Sequence, residues 1–271
     1  MACFCCAQKE PFYIYGTGFV ARRLLDVLVH RGIIENLRGF VVTKMPEDGS
    51  HEFFGKSVQP ITEIPRESLI LVAVHMIWED EIEQNLLRLG FQRFVMVYDK
   101  LLEIQFGAPK VHHQKIRVRE QVARLAKTVY ERYAMTAYLS AIQKHVHGAP
   151  GSDAYYLKFQ GALATPKAAK VRLERFHQMI DEFRSEGERA LQRHPVCFDE
   201  HGNVLDGMHR MSTAYAFHVP FLFADIYDTE EYWGMGYEKG FWKRSYAEIF
   251  SPEELQEMDA MQDALFSGAE E

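Results

Sequence analysis

The chain has 271 residues, 47% of them hydrophobic and 25% charged, with a formal net charge of −7. That composition is globular and suits one large or two ordinary domains, while the acidic balance argues against a protein that wraps the polyanionic backbone of nucleic acid. No run of about eighteen uncharged apolar residues occurs and no secretory signal opens the chain, so no membrane span and a cytoplasmic location are expected.

Three of the four cysteines, Cys3, Cys5 and Cys6, crowd the N-terminus. They stand too close together for an ordinary disulfide framework, and a frayed terminus is the expectation. From Pro11 to about Asp99 short β runs alternate with amphipathic stretches, the signature of a parallel sheet with crossover helices. Phe12-Tyr13-Ile14-Tyr15 reads as a strand. It leads into a helix with Ala21, Leu24, Leu25 and Leu28 on one face. Strands are predicted at Gly39 to Val42, at Leu69 to Val74 and at Phe94 to Val97, with a short extended piece around Ile61 to Ile64 and a helix carrying Ile82, Leu86 and Leu89 between the last two strands. Gly16-Thr17-Gly18-Phe19-Val20-Ala21 fits the G-x-G-x-x-G/A fingerprint between strand and helix. Gly16, Thr17 and Gly18 are therefore the candidate ligand-binding residues of a first domain, 1–104. A nicotinamide site would want an acidic residue at the end of the second strand, which instead reads Val41-Val42-Thr43-Lys44, so an NAD-dependent oxidoreductase is the weakest alternative.

Residues 105–150 are predicted to be a helical connector, with Val118, Val122, Leu125 and Val129 along one stripe. The breaker run Gly148-Ala149-Pro150-Gly151-Ser152 is expected to mark the boundary of a further domain, 151–271. There Thr165 and Pro166 suit the N-cap and first residue of a helix reaching about Glu186, with Leu173, Phe176, Ile180 and Phe183 on one face. A hairpin follows, Val196-Cys197-Phe198 and Val204-Leu205 around Asp199-Glu200-His201-Gly202-Asn203. A helix then starts near His209, and Pro220 to Tyr227 returns as a strand.

The chemistry concentrates at Asp206-Gly207-Met208-His209-Arg210. Gly207 lets backbone approach a ligand, and the helix that follows offers unpaired N–H groups and a positive dipole end, which favours an anion. Arg210 adds a forked donor set suited to phosphate, His209 a donor or acid, and Asp206 a carboxylate able to hold magnesium or accept a proton. On spacing alone the alternative is a capping Asp206, a turn glycine and a surface ion pair at Arg210. Lys158, Lys167, Lys170 and Arg172 lie near the start of the preceding helix, and they either reach a triphosphate or form a solvated face. The aromatics Tyr232 to Tyr237, Phe241 and Trp242 either wall a sugar pocket or pack a small core.

The stretch Pro195 to Arg210, with Ala214 and Val219-Pro220, resembles the superfamily of the partition protein ParB and sulfiredoxin, in which a strand, turn and strand precede a D/G-G-x-H/R-R motif and a helix. The resemblance covers roughly residues 155 to 228. It implies an α+β nucleoside-triphosphate domain with Gly207, His209 and Arg210 on phosphates and Asp206 near the metal, Mg2+, or the reacting group. Asp206 and His209 are the candidate catalytic residues, and Lys170 is a further candidate for phosphate on its position alone. Met208 stands where sulfiredoxin has its nucleophilic cysteine, so sulfinic acid reduction is not expected, because a thioether forms no thiolate. Only an acidic tail follows Tyr227, without the DNA-binding region of ParB. The serine-kinase branch carries a glutamate ahead of the amphipathic helix, and Gly161 to Lys167 contains none.

The first domain resembles the N-terminal Rossmann-like domains of bacterial nucleotide-sugar enzymes in the order of its "YIYGTG", "GFVVT", "FFGKSVQPITEIP" and "LILVAV" segments. This implies a nucleotide-linked sugar, or a scaffold without ligand, in surface-polysaccharide assembly. The expected fold class is α/β, a Rossmann-like parallel sheet followed by an α+β domain. The expected function is an ATP-dependent, magnesium-dependent phosphotransferase acting on a sugar, polyol or amino-acid hydroxyl. The alternative is a nucleotide-binding regulatory protein without turnover. Partners are expected to be small molecules rather than nucleic acid, with a homodimer left open.

Overall fold

A computed structural model describes Ala7 and residues 9–45, 51–148, 151–163, 165–230 and 246–266. The protein is mixed α/β, with parallel strands in both of its sheets. It divides into two compact units, Met1–Gln105 and Phe106–Glu271. Among the described residues no helix is long and apolar enough to cross a membrane. Cys3, Cys5, Cys6 and the aromatic run Tyr232 to Trp242 lie outside the described residues.

Unit 1 is built on β1 (Phe12–Tyr15), β2 (Leu37–Val42), β3 (Glu52–Phe53), β4 (Lys56–Pro60), β5 (Leu69–Val72) and β6 (Phe94–Met96), in the order β3-β4-β2-β1-β5-β6. All pairings are parallel except β3 with β4. The chain therefore runs outward from β1 in one direction and then, from β5, in the other, and the order reverses between β1 and β5. Helix α1 (Phe19–His30) links β1 to β2, and α2 (Glu79–Arg88) links β5 to β6. Alternation along the strands buries both faces. Tyr15, Val41, Ile70 and Val72 share a core with Leu86 of α2, while Phe12, Ile14, Phe40, Leu69 and Leu71 are also buried. The piece around Ile61 to Ile64, expected to be extended, is a short 3-10 turn, Ile61–Glu63, that follows β4 and ends on an extended Ile64. Helix α3 (Leu101–Phe106) crosses the division between the units.

Unit 2 corrects the expected organisation. Residues 105–150 are not a helical connector: Val111–Arg117 forms β7, an edge strand hydrogen-bonded to β10 (Phe221–Tyr227). The helices α4 (Val118–Leu125) and α5 (Val129–His147) pack into the core of the same unit through Val118, Val122, Leu125 and Tyr138. The division falls at Gln105/Phe106 rather than near Gly148 to Ser152. Gly148, at φ 82°, caps α5, and the amide of Ser152 donates to the hydroxyl and carbonyl oxygens of Ser140. Gly148 and Ser152 of that cluster thus lie between α5 and α6 (Asp153–Leu163) within one unit.

The next helix, α7 (Pro166–Glu186), starts as its sequence dictates, with the Thr165 hydroxyl accepting from the Ala168 amide at 3.2 Å and proline in the first turn. A short α8 (Glu188–Gln192) leads into β8 (Val196–Asp199), β9 (Val204–Asp206), α9 (Met208–Ala216) and β10. The sheet order is β7-β10-β8-β9, with β10 and β8 parallel and the outer pairs antiparallel. Val196, Phe198, Leu222 and Ala224 face the helices, packed with Tyr156, Phe176, Ile180 and Met211.

One histidine–carboxylate cluster is packed into this bundle. His145 of α5 stacks on His177 of α7, ring centroids 4.1 Å apart and 13° from parallel. Asp181 lies 2.9 Å from His145 Nε2, and Asp153 3.4 Å from His177 Nε2. Burial, then the charge of His145, lowers the His177 pKa from its ordinary value, against the opposing pull of Asp153 and Asp181. A histidine depressed in the folded state binds fewer protons there than in the unfolded chain, so its contribution is present above the ordinary histidine pKa and is lost as pH falls below it. Urea midpoints of unit 2 are expected to fall as pH drops below the ordinary histidine pKa of about 6.5, with a shallower slope in His177→Gln. An unchanged slope would remove His177 as the cause.

Candidate functional site

Two backbone irregularities shape the end of unit 2's hairpin. Phe198 pairs with Val204, but Cys197 pairs with Asp206, so Leu205 is an extra residue on β9. A bulge of this kind turns the next side chain to the other face. Val204 packs with the helices, whereas Asp206 joins Cys197 on the opposite side. Gly207 follows in the left-handed region, φ 98° and ψ 17°. A Cβ there would stand 3.0 Å from Val196 Cγ1, 3.1 Å from Val196 Cα and 3.0 Å from an Arg210 nitrogen, so this position needs glycine for conformation and for space.

Helix α9 begins at the next residue, with its first internal bond from the Met211 amide to the Gly207 carbonyl, 3.0 Å. The first-turn amides thus lack intrahelical acceptors and aim the positive end of the helix at the turn. Arg210 lies alongside, its side chain 19% exposed, donating from Nη2 to the Pro195 carbonyl at 3.0 Å and to Asp206 Oδ2 at 3.4 Å. Its Nε is buried with no hydrogen-bond partner among the described residues. Asp206 is half exposed. The turn therefore combines helix-end amides, a largely buried guanidinium with an unused donor, and an open carboxylate.

His209 points elsewhere than its place in the motif suggests. Its Nε2 lies 2.6 Å from the Tyr156 hydroxyl, and its ring sits edge-on to Tyr138 and Phe176 at 4.9 and 4.7 Å. Burial raises the Tyr156 phenol far above its ordinary pKa, so it stays protonated and shares its hydrogen bond with His209 as a hydroxyl rather than a phenolate. Nearby, Arg172 Nη1 donates to Gln160 Oε1 at 2.7 Å, and Gln160 Nε2 to the Tyr138 hydroxyl at 2.6 Å. This polar network inside α5, α6, α7 and α9 holds His209 in place. Tyr138, Tyr156 and Gln160 carry no sequence signal of that role. Lys170 is exposed on α7 and forms no hydrogen bond or ion pair with the turn among the described residues.

Cys197, between Asp206 and Asp225 in the sheet, is pushed up to about 12 by burial and then by the Asp206 charge. It stays a thiol at neutral pH.

In unit 1 the glycine turn lies at the C-terminal edge of the sheet, beside the reversal point. Gly16, at φ 104°, donates its amide to the Val41 carbonyl at 2.9 Å, and a Cβ would meet the Ala73 carbonyl oxygen at 3.0 Å. Thr17 follows, and Gly18 is the N-cap of α1, with open space around its Cα. A cleft of about 340 Å³ is lined by Thr43, Glu81, Ile82, Gln84, Asn85 and Arg88. None of the three turn residues lines it. The Tyr15 hydroxyl bonds the Thr43 hydroxyl. Sequence reasoning missed Glu79, the first residue of α2, which is pushed up to about 7 by burial and then by the charge of Asp99.

No protein-family model matches the chain, and neither a curated protein nor a solved structure matches it.

Proposed function

We propose that unit 2 binds a nucleoside triphosphate at the Gly207 turn and transfers its terminal phosphoryl group to a small-molecule hydroxyl. The observation that carries this reading is the conjunction at one turn of a side-chain-free approach at Gly207, the N-terminus of α9 and an Arg210 whose Nε is buried without an acceptor. Phosphate oxygens complement all three. The likeness of Pro195 to Arg210 to the ParB and sulfiredoxin motif supports the same ligand.

Phosphoryl transfer asks mainly for positioning and charge neutralisation. The α9 amides and Arg210 would take phosphate charge, and Mg2+, when bound, would neutralise the triphosphate beside Asp206. Asp206 is also the carboxylate placed to accept the proton of an acceptor hydroxyl as its oxygen bonds to the γ-phosphorus and the nucleoside diphosphate leaves. His209, tied to Tyr156, would set the first turn of α9 rather than touch phosphate through Nε2. Unit 1, with its Gly16 to Gly18 turn, would hold a nucleotide-linked sugar or related metabolite, in a cytoplasmic, polysaccharide-building setting.

The test is a panel of the four ribonucleoside triphosphates with magnesium, followed by thermal shift and by phosphate release over sugars, polyols and amino acids. A triphosphate is expected to raise the melting temperature. Arg210→Ala is expected to weaken binding by roughly 10- to 100-fold, the worth of a charge-assisted hydrogen bond. Binding without release would favour the regulatory alternative. A shift with NAD alone would overturn the proposal.

A further inference from the structure

The strand β7 carries two consecutive histidines, and in a regular strand consecutive side chains point to opposite faces. Here they do not. Ala224 pairs with Gln114 and Ile226 with Val111, so Asp225 alone is opposed by both His112 and His113. His113 holds φ at 50°, a left-handed conformation uncommon outside glycine but one that histidine, like asparagine and aspartate, adopts more readily than most residues. The bulge brings both imidazoles onto one carboxylate. Asp225 Oδ1 lies 3.0 Å from His112 Nδ1 and 3.7 Å from His113 Nδ1, and one ligand atom from each of the three residues lies within 4.8 Å of the others.

We propose that His112, His113 and Asp225 form a binding site for a borderline divalent transition-metal ion of the zinc class. The inference does not depend on the phosphate reading, since it uses none of those residues. Metal bonds of about 2.0–2.2 Å in tetrahedral or octahedral arrangement set neighbouring donor atoms roughly 3.0–3.5 Å apart, and the two histidine–aspartate separations are 3.0 and 3.7 Å. Two imidazoles with one carboxylate select zinc, cobalt, nickel or ferrous ions over magnesium, which prefers an all-oxygen shell. Three protein donors leave a coordination position for water or substrate, the pattern of a catalytic rather than a structural site.

The surroundings fit that use. The Asp225 side chain is 7% exposed, while those of His112 and His113 are 66% and 63% exposed, so the carboxylate is the buried base of the site and an ion enters between the rings. The amide of His113 donates to Asp225 Oδ1 at 2.9 Å, which fixes the carboxylate from behind. In the sheet register Asp225 pairs with Cys197, and Cys197 with Asp206. The ion would therefore sit on the Asp206 side of the sheet, about two strand spacings, roughly 10 Å, from that residue.

The competing account is a plain ion pair between protonated His112 and Asp225. The two are separated by titrating the chelator-treated full chain with Zn2+ by calorimetry at neutral pH, with Cys3, Cys5 and Cys6 replaced by serine so that their thiols do not compete. A single Zn2+ site is expected, with proton release on binding and a raised melting temperature, and Mg2+ is expected not to substitute. His112→Gln with His113→Gln is expected to lower Zn2+ affinity by at least about 100-fold, since even loss of an outer-shell partner costs 10- to 100-fold. Both side chains are exposed, so the fold should survive, as circular dichroism would verify. His201→Gln, in the other histidine-carboxylate group with Glu200 and Glu230, is expected to leave the affinity unchanged. The proposal is overturned if Zn2+ does not bind, if the double variant binds as tightly as its parent, or if the loss follows His201 instead.

Discussion

Tyr156→Ala is expected to destabilise unit 2 by about 3–5 kcal/mol, the range for removing a large aromatic from a packed core. The side chain has no solvent exposure and is among the largest of the fully buried residues. It stacks on Phe176 at 5.4 Å and meets Tyr138 edge-on at 5.2 Å, so truncation empties the junction of α5, α6, α7 and α9. Tyr156→Phe isolates the other contribution. It keeps the ring and removes the hydroxyl from His209 Nε2, which should cost about 1–2 kcal/mol for a buried polar atom left unpaired. Urea unfolding of the two variants, with His209→Ala and the double variant, gives both values and their coupling. A cost below about 1 kcal/mol for Tyr156→Ala would mean that the junction is not packed as described. Zero coupling between Tyr156 and His209 would remove the hydrogen bond from the account.

Gly207→Ala is the second large effect, and it should act on stability and ligand together. An alanine at φ 98° is strained by about 1–2 kcal/mol. The new Cβ would also press on Val196 at 3.0 to 3.1 Å, where one neighbour is the backbone of β8 and cannot rotate away. We expect a total of roughly 2–4 kcal/mol, and a fall in triphosphate affinity as the first turn of α9 is pushed out. Gly32→Ala provides the comparison, because Gly32 caps α1 in a left-handed turn at φ 66° and has no atom within 4 Å of a built Cβ. It should lose only the conformational part. Equal losses at the two positions would show that the close approach at Gly207 has no energetic weight.

Much of this architecture was legible because it rests on short-range pattern. The alternation in Phe12 to Tyr15, the apolar run from Leu69, the Thr165-Pro166 start of α7 and the turn between β8 and β9 each depend on residues a few positions apart. The turn at Gly207 was legible for the same reason: the glycine, the helix start and Arg210 are neighbours in sequence. β7 was not. Its Val-His-His-Gln-Lys-Ile-Arg is exposed at all but one position, and its partner β10 lies about a hundred residues further on. A polar edge strand without alternation has no local signature.

Bulges were equally hidden. The extra residue Leu205 decides that Asp206 faces Cys197, and the His112-His113 pair decides what meets Asp225, yet neither bulge contains a glycine to announce it. The inward course of His209 was missed because Tyr156 is 53 residues away and reads as an ordinary core aromatic. Breakers misled in the opposite sense. Glycine and proline mark where a helix stops, and the run from Gly148 is as suitable for a turn between two packed helices as for a domain boundary.

The most direct measurement of the central claim is the backbone amide spectrum of the isotope-labelled full chain, titrated with magnesium and a nucleoside triphosphate. The account predicts that the largest shifts fall on the amides of Gly207, Met208, His209 and Arg210, and that Arg210→Ala moves the midpoint of the remaining shifts to roughly 10- to 100-fold more ligand. Shifts confined to Gly16, Thr17 and Gly18, or an unperturbed α9 at saturating triphosphate, would contradict it.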